Sequence, residues 1–227
     1  MMLNVGRNED GPWSKADLLT GGIPLDHVKG LHRAEHYSVK ETAARCERET
    51  KDKYTHEEVY GQWCNVNDFI DVPVDYAWEY AANVYSLEEW TYSVRDLKHI
   101  GKGIYKAKEL LAPPTEIFVR SDAHKESRVV DYFCAWDQKE ELWMRYYLRF
   151  VDAKPTLNCP GTILMWLNCK HPYYDRQAKE SPAWLKDAQN KKDRSWVGDY
   201  WRYFYAAHKI EADNLRYLLE HRYHNKK

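Results

Sequence analysis

The sequence lacks any long apolar run. Nowhere do its 227 residues supply the roughly 20 consecutive apolar side chains a membrane helix needs, so no membrane span is expected. It also lacks an excess of either charge: 34 Lys and Arg stand against 35 Asp and Glu, a formal net charge of -1. The basic residues are interspersed with acidic ones and form no stripe, so nucleic acid is not an expected partner. Cysteines are few. The five present (Cys46, Cys64, Cys134, Cys159, Cys169) are odd in number and widely spaced, with no CxxC pair. That pattern disfavours both a disulfide framework and a structural zinc site. The first residues, Met1 to Trp13, lack the charged-then-apolar order of a signal peptide. A reduced, cytoplasmic protein is the simplest expectation. GxSxG, Walker and GxGxxG patterns are missing too, which disfavours α/β-hydrolase, P-loop and Rossmann chemistry.

What the chain has in quantity is aromatic side chains: 10 Trp, 18 Tyr and 5 Phe, or 15% of all residues. Such a supply either fills a β-rich core or paves a binding cavity, and Trp and Tyr bring a polar handle to both. With 44% hydrophobic and 30% charged residues, the length suits one substantial core with a small appendage.

Residues 1–57 read as that appendage, an N-terminal arm. Gly11-Pro12 and Gly21-Gly22-Ile23-Pro24 are turn-rich. Ser38 to Lys53 is a charged run of helix formers, with Ser38 as cap and Glu41 three residues on. Its few apolar positions are compatible with covering a cavity mouth, pairing with a second subunit in a homodimer, or lying on the surface. From Glu58 the pattern changes. A strand is expected over Glu58–Val72, ending at Pro73. Two short helices follow, Val74–Ala82 and Ser86–Val94, the second with Ser86 as cap and Glu89 as its box partner. Strands are then expected at Leu97–Glu109, Thr115–Ala123, Arg128–Asp137, Glu141–Val151 and Thr162–His171. Their short connections imply an antiparallel meander. A polar loop, Pro172–Arg194, leads to a long helix over Ser195–His224 with Val197, Trp201, Phe204, Leu215 and Leu218 on one face.

This element order resembles the START/birch-allergen-like superfamily, often called SRPBCC. The segment Ile70-Asp71-Val72-Pro73-Val74-Asp75-Tyr76-Ala77-Trp78-Glu79 is similar to the opening of its polyketide cyclase/dehydrase branch. Leu87-Glu88-Glu89-Trp90 stands where that branch has its Trp-containing second helix. The resemblance runs from about Glu58 to the C-terminus and leaves the arm outside. It implies an α+β helix-grip fold: a curved antiparallel sheet around the long C-terminal helix, with a hydrophobic small-molecule ligand in the cavity between them. It implies nothing as specific about activity, since fold does not fix function.

In such a fold the apolar face of the final helix looks into the cavity, and two polar residues share that face. His208 follows Phe204 by four, and Glu211 follows His208 by three. Three readings stay open: a structural role (a His–Glu pair, or a helix rotated so that Glu211 reaches the rim), a general acid/base His208 oriented by Glu211, or two ligands of a metal such as Fe or Zn. His171, at the end of the last strand, is the third group in the metal reading. Alternation places it with Met165, Leu167 and Cys169, on a face whose direction the equally apolar Leu164 and Trp166 leave undecided. Trp201, Phe204, Tyr146, Trp78 and Trp90 are the expected ligand-binding aromatics. Arg145 and Arg149 read as a solvated outer face, Arg95, His99 and Arg120 as surface-paired residues with anchoring of a carboxylate as the lesser reading, and Cys134 and Cys169 as inert thiols. The resemblance, with the inward His208 and Glu211 tipping the balance, implies a cyclase/dehydrase-type enzyme needing no cofactor, acting on a polyketide-like or aromatic small molecule. A non-catalytic carrier or sensor of an aromatic or lipid-like ligand is the first alternative, and a metal enzyme using His171, His208 and Glu211 the second.

Overall fold

The computed structural model of the chain describes residue 25 and residues 28–53, 63–138 and 141–225. The turn-rich stretch at 11–24 and the first part of the strand expected from residue 58 lie outside the described residues. Seven strands form one antiparallel sheet: β1 (Trp63–Ile70), β2 (Val94–Gly101), β3 (Ile104–Glu109), β4 (Glu116–His124), β5 (Val129–Trp136), β6 (Met144–Asp152) and β7 (Thr162–Cys169). The order across the sheet is β1-β7-β6-β5-β4-β3-β2, so β2 to β7 run as a meander and β1 closes against the last strand. Helix α1 (Val39–Lys53) precedes the sheet, and α2 (Val74–Ala82) and α3 (Leu87–Trp90) lie between β1 and β2. The short α4 (Lys154–Leu157) and α5 (Ala183–Gln189) sit in later connections, and α6 (Phe204–His224) closes the chain against β1. This is the helix-grip architecture.

Alternation decides which side chains enter the core. On β6, Met144, Leu148 and Phe150 are buried while Tyr147 and Arg149 face out; on β7, Leu164, Trp166 and Asn168 are buried while Met165 is exposed. Arg145 and Arg149 thus belong to the convex face, where Arg145 lies over the Phe133 ring at 4.2 Å. Two expectations change. The single strand expected over Leu97–Glu109 is a hairpin, turned at Gly101-Lys102-Gly103, three successive residues with positive φ. The final helix begins later than Ser195: Val197–Tyr203 is 3₁₀, and a Cβ on Gly198 would lie 1.6 Å from the Tyr174 carbonyl oxygen. That close approach holds the entry to α6 against the segment after β7.

The arm packs on its own chain. Ser38 and Glu41 form the expected capping box at α1: the Ser38 N–H donates to Glu41 Oε2 at 2.8 Å, and the Glu41 N–H to Ser38 Oγ at 3.3 Å. Cys46 of α1 packs on Ala206 and Ile210 of α6. Upstream, Glu35 takes a two-pronged bond from Arg95 at 2.6 and 2.9 Å, and the Arg33 guanidinium donates to the Glu88 carbonyl at 2.9 Å. Val28 and Leu31 enter the main core.

Candidate active site

Between the concave face of the sheet, α1, α3 and the first half of α6 lies a cavity of about 160 Å³. Its walls combine aliphatic side chains with the aromatics Trp90, Tyr132, Trp136, Tyr146, Trp166, Tyr200, Tyr203 and Phe204. Val39, Thr42, Ala43 and Cys46 of α1 form one side, so the arm is part of the wall. The space is close to that of a cavity able to hold one benzene ring, and smaller than most ligand pockets.

His208 lines this cavity and is itself 6% exposed. Its ring stacks on Trp166 with centroids 4.7 Å apart and meets the edges of Tyr146 and Phe204. Inward alternation on β1 brings Cys64 beneath it, and the Cys64 Sγ lies 3.5 Å from His208 Nδ1. The other nitrogen, Nε2, bonds to no group among the described residues and is not sealed from the cavity. Burial in this apolar cage pushes His208 down to about 3, so the imidazole is neutral at physiological pH, while the buried Cys64 thiol is pushed up to about 12.

Glu211 lines the same cavity one turn further along α6 and is half-buried. Its Oε1 accepts the Tyr92 backbone N–H at 2.9 Å; Oε2 bonds to no group among the described residues. Burial is the largest influence on its carboxyl, and the Glu109 carboxyl adds to it against the opposing Tyr92 N–H and Arg95. Glu211 is thereby raised to about 7. Glu109, the last residue of β3, also lines the cavity and is 5% exposed. Burial raises its carboxyl too, against bonds from Ser93 and the Leu111 N–H at 2.9 Å. The sequence reading missed Glu109, although alternation with the buried Ala107 was there to point it inward.

The structure brings His208, Glu211, Tyr146, Trp90 and Phe204 to the cavity, but His208 and Glu211 are not bonded to each other. Each is turned to a different neighbour, Cys64 in one case and the Tyr92 backbone in the other. The structural His–Glu pair is therefore not present. Trp78 is a rivet instead of a cavity residue: its Nε1 donates to the Val129 carbonyl at 3.2 Å, fastening α2 to the start of β5. Trp201 lies behind Phe204, 4.9 Å away, packed on Tyr174. His171 stands on the convex-side register with the exposed Met165, and its Nδ1 accepts the Tyr173 N–H at 3.1 Å to cap the next 3₁₀ turn. His171, His208 and Glu211 are thus not assembled, and among the described residues no group of three or more His, Cys, Asp or Glu is placed to hold a metal ion. Arg95 is no free anchor either. Its five N–H donors go to Glu35 and to the carbonyls of Thr91, Tyr92 and Val94. Glu89, expected as a helix cap partner, is fully buried and accepts from Arg222 at 2.6 Å and the Tyr80 hydroxyl at 2.5 Å.

No protein-family model and no curated protein matches the chain. Solved structures similar to it include the Zhui aromatase/cyclase from Streptomyces sp. R1128, at 16% identity and TM-score 0.46, over 71% of this chain and 95% of that one. Another is the di-domain ARO/CYC BexL from the BE-7585A biosynthetic pathway, at 12% identity and TM-score 0.47, over 73% of this chain and 48% of that one. A third is the Aha1 dimer from Colwellia psychrerythraea, at 10% identity and TM-score 0.43, over 70% and 96%. Among the described residues no helix is long and apolar enough to cross a membrane.

Proposed function

We propose that the protein is a cyclase/dehydrase-type enzyme that moves protons on a hydrophobic carbonyl compound held in this cavity. One observation carries the reading: two polar groups on the same helix face, His208 Nε2 and Glu211 Oε2, are left without protein partners on a largely apolar space. Their environments drive them apart, one to about 3 and the other to about 7. Pairs of titratable groups separated in this way divide the roles of acid–base chemistry.

The roles differ from those the sequence suggested. A histidine held neutral is a poor base but a good hydrogen-bond donor. With the Cys64 S–H donating to Nδ1, the ring proton sits on Nε2 and points at the substrate. The Glu211 carboxylate removes a proton α to the carbonyl, the C–H electrons move to the carbonyl oxygen, and that oxygen takes a hydrogen bond from Nε2–H. Protonated Glu211 then returns its proton to a β-hydroxyl. The enolate electrons re-form the carbonyl and the carbon–carbon double bond as water departs. In an aldol-type closure the same enolate carbon attacks a second carbonyl of the bound molecule, and the aromatic walls supply proximity.

The aldol adduct of benzaldehyde and acetone tests this reading, because its dehydration to benzalacetone is followed by the near-ultraviolet absorbance of the enone. Wild-type protein accelerates the reaction, with a rate that rises with pH through about 7 as Glu211 ionises. Glu211→Gln loses about 10²–10⁴-fold, and His208→Ala about 10²-fold. Binding of the adduct with no rate above background would overturn the enzyme reading and leave a carrier.

A further inference from the structure

The cavity holds one more polar feature than the proposed chemistry uses. Glu109 and Glu211 reach it from β3 and α6, close enough for the Glu109 charge to act on Glu211, and neither accepts a bond from a cation among the described residues; Arg95 acts on both only through space. Glu109 has only the Leu111 N–H and Ser93, and Glu211 only the Tyr92 N–H. The nearby guanidinium, Arg95, has every N–H committed elsewhere and contributes no bond to either carboxyl. Carboxylates in this state, Glu109 buried and Glu211 half-buried, favour a positive charge or a proton beside them. The partnerless Nε2 of the nine-tenths buried His208 opens on the same space, which marks it as a place built for a polar ligand.

The remaining walls favour the same charge. Aromatic faces attract organic cations and tolerate their apolar bodies, and this cavity is lined by Trp90, Trp136, Trp166, Tyr132 and Tyr146. Its volume of about 160 Å³ matches a one-ring body. We propose that the ligand of this cavity is a small apolar or aromatic amine whose protonated nitrogen is received jointly by Glu109 and Glu211. This deepens the proposed function and rests on the cavity being the substrate site. The ligand's own ammonium would hold Glu211 as the carboxylate, so binding would ready the base.

The test compares phenethylamine with phenethyl alcohol, probes of one shape that differ in charge, by isothermal titration calorimetry near about pH 8 where Glu211 is ionised and the amine protonated. The expected result is amine binding at least about tenfold tighter than the alcohol, roughly 1.4 kcal/mol. In Glu109→Gln and Glu211→Gln that preference shrinks toward one while alcohol binding, the check that the cavity is intact, persists. Equal affinities in the wild type, a preference for the alcohol, or no binding of either probe would overturn the proposal. So would an amine preference that survives in the double variant. The dehydration assay uses an uncharged substrate, so its failure and the failure of amine recognition are told apart.

Discussion

The two halves of α6 bury polar side chains in opposite ways. In the second half Asn214 and Arg222 reach across to the arm and to α3. Asn214 accepts the His32 N–H at 2.8 Å and donates to the His32 and Trp90 carbonyls at 3.0 Å each, and Arg222 donates to Glu89 at 2.6 Å. In the first half, His208 and Glu211 each have one protein partner and one atom left facing the cavity. The same helix thus carries a wired end, which fixes the arm and α3 in place, and an unwired end, which lines the cavity. Burial alone does not separate structure from function here. What separates the two ends is where their side chains lead: the second half bonds to the arm and α3, and the first lines the cavity.

Breaking the wired end should cost the most. Glu89 is 0% exposed and takes bonds from both Arg222 and Tyr80, so Glu89→Ala leaves the Arg222 guanidinium buried without its carboxylate. A loss of about 3–5 kcal/mol is expected in urea denaturation. A loss under about 1 kcal/mol, as for an exposed pair, would erase the contrast between the two ends.

The unwired end should show itself through pH. Glu211 rises from an ordinary 4.5 to about 7 on folding, so between those values the folded state keeps a proton that the unfolded chain has released. Its contribution to stability therefore falls as pH rises through that window, by about 3 kcal/mol in all, and is constant above it. His208 falls from 6.5 to about 3, so its neutral buried form loses stability as pH drops below 6.5. The two slopes oppose each other across the shared window. Glu211→Gln removes one of them: relative to wild type, the variant should gain about 3 kcal/mol as pH is raised from about 4.5 to about 7. Thermal melts at several pH values check this, and parallel profiles for the two proteins would contradict it.

How far the sequence foretold this site depends on the signal each residue carried. Helical spacing put His208 and Glu211 on the cavity face, and strand alternation put Tyr146 inward with Met144 and Leu148. The fold followed from the order of elements. Alternation failed for His171 because Leu164 and Trp166 made both faces of β7 apolar, and only the pairing of the sheet shows which face is covered. Trp78 was misplaced because a helix of nine residues buries side chains on more than one side, and its indole turned to the Val129 carbonyl. The arm's contribution was hidden by size: Val39, Thr42, Ala43 and Cys46 recur at helical spacing but are small, so the run reads as charged. Glu109 sat in a segment of alternating lysines whose hairpin had been read as one strand. The partners that tune His208 and Glu211, Cys64 and the Tyr92 N–H, come from 144 and 119 residues away, and no local pattern announces such contacts.

Cys64 offers the smallest change and the finest distinction. If its thiol only fills space, Cys64→Ala costs about 1 kcal/mol and nothing more. If it sets the histidine tautomer, the same variant frees Nδ1, and the ring proton divides between the two nitrogens. Nitrogen-15 NMR of His208 should then move from one tautomer in the wild type to a mixture in the variant, and the dehydration rate should fall by about tenfold. Cys64→Ser separates the two effects, since a hydroxyl of nearly the same size donates to Nδ1 and should restore both signals. An unchanged nitrogen-15 spectrum in Cys64→Ala would return the thiol to the wired, purely structural class to which Asn214 and Arg222 belong.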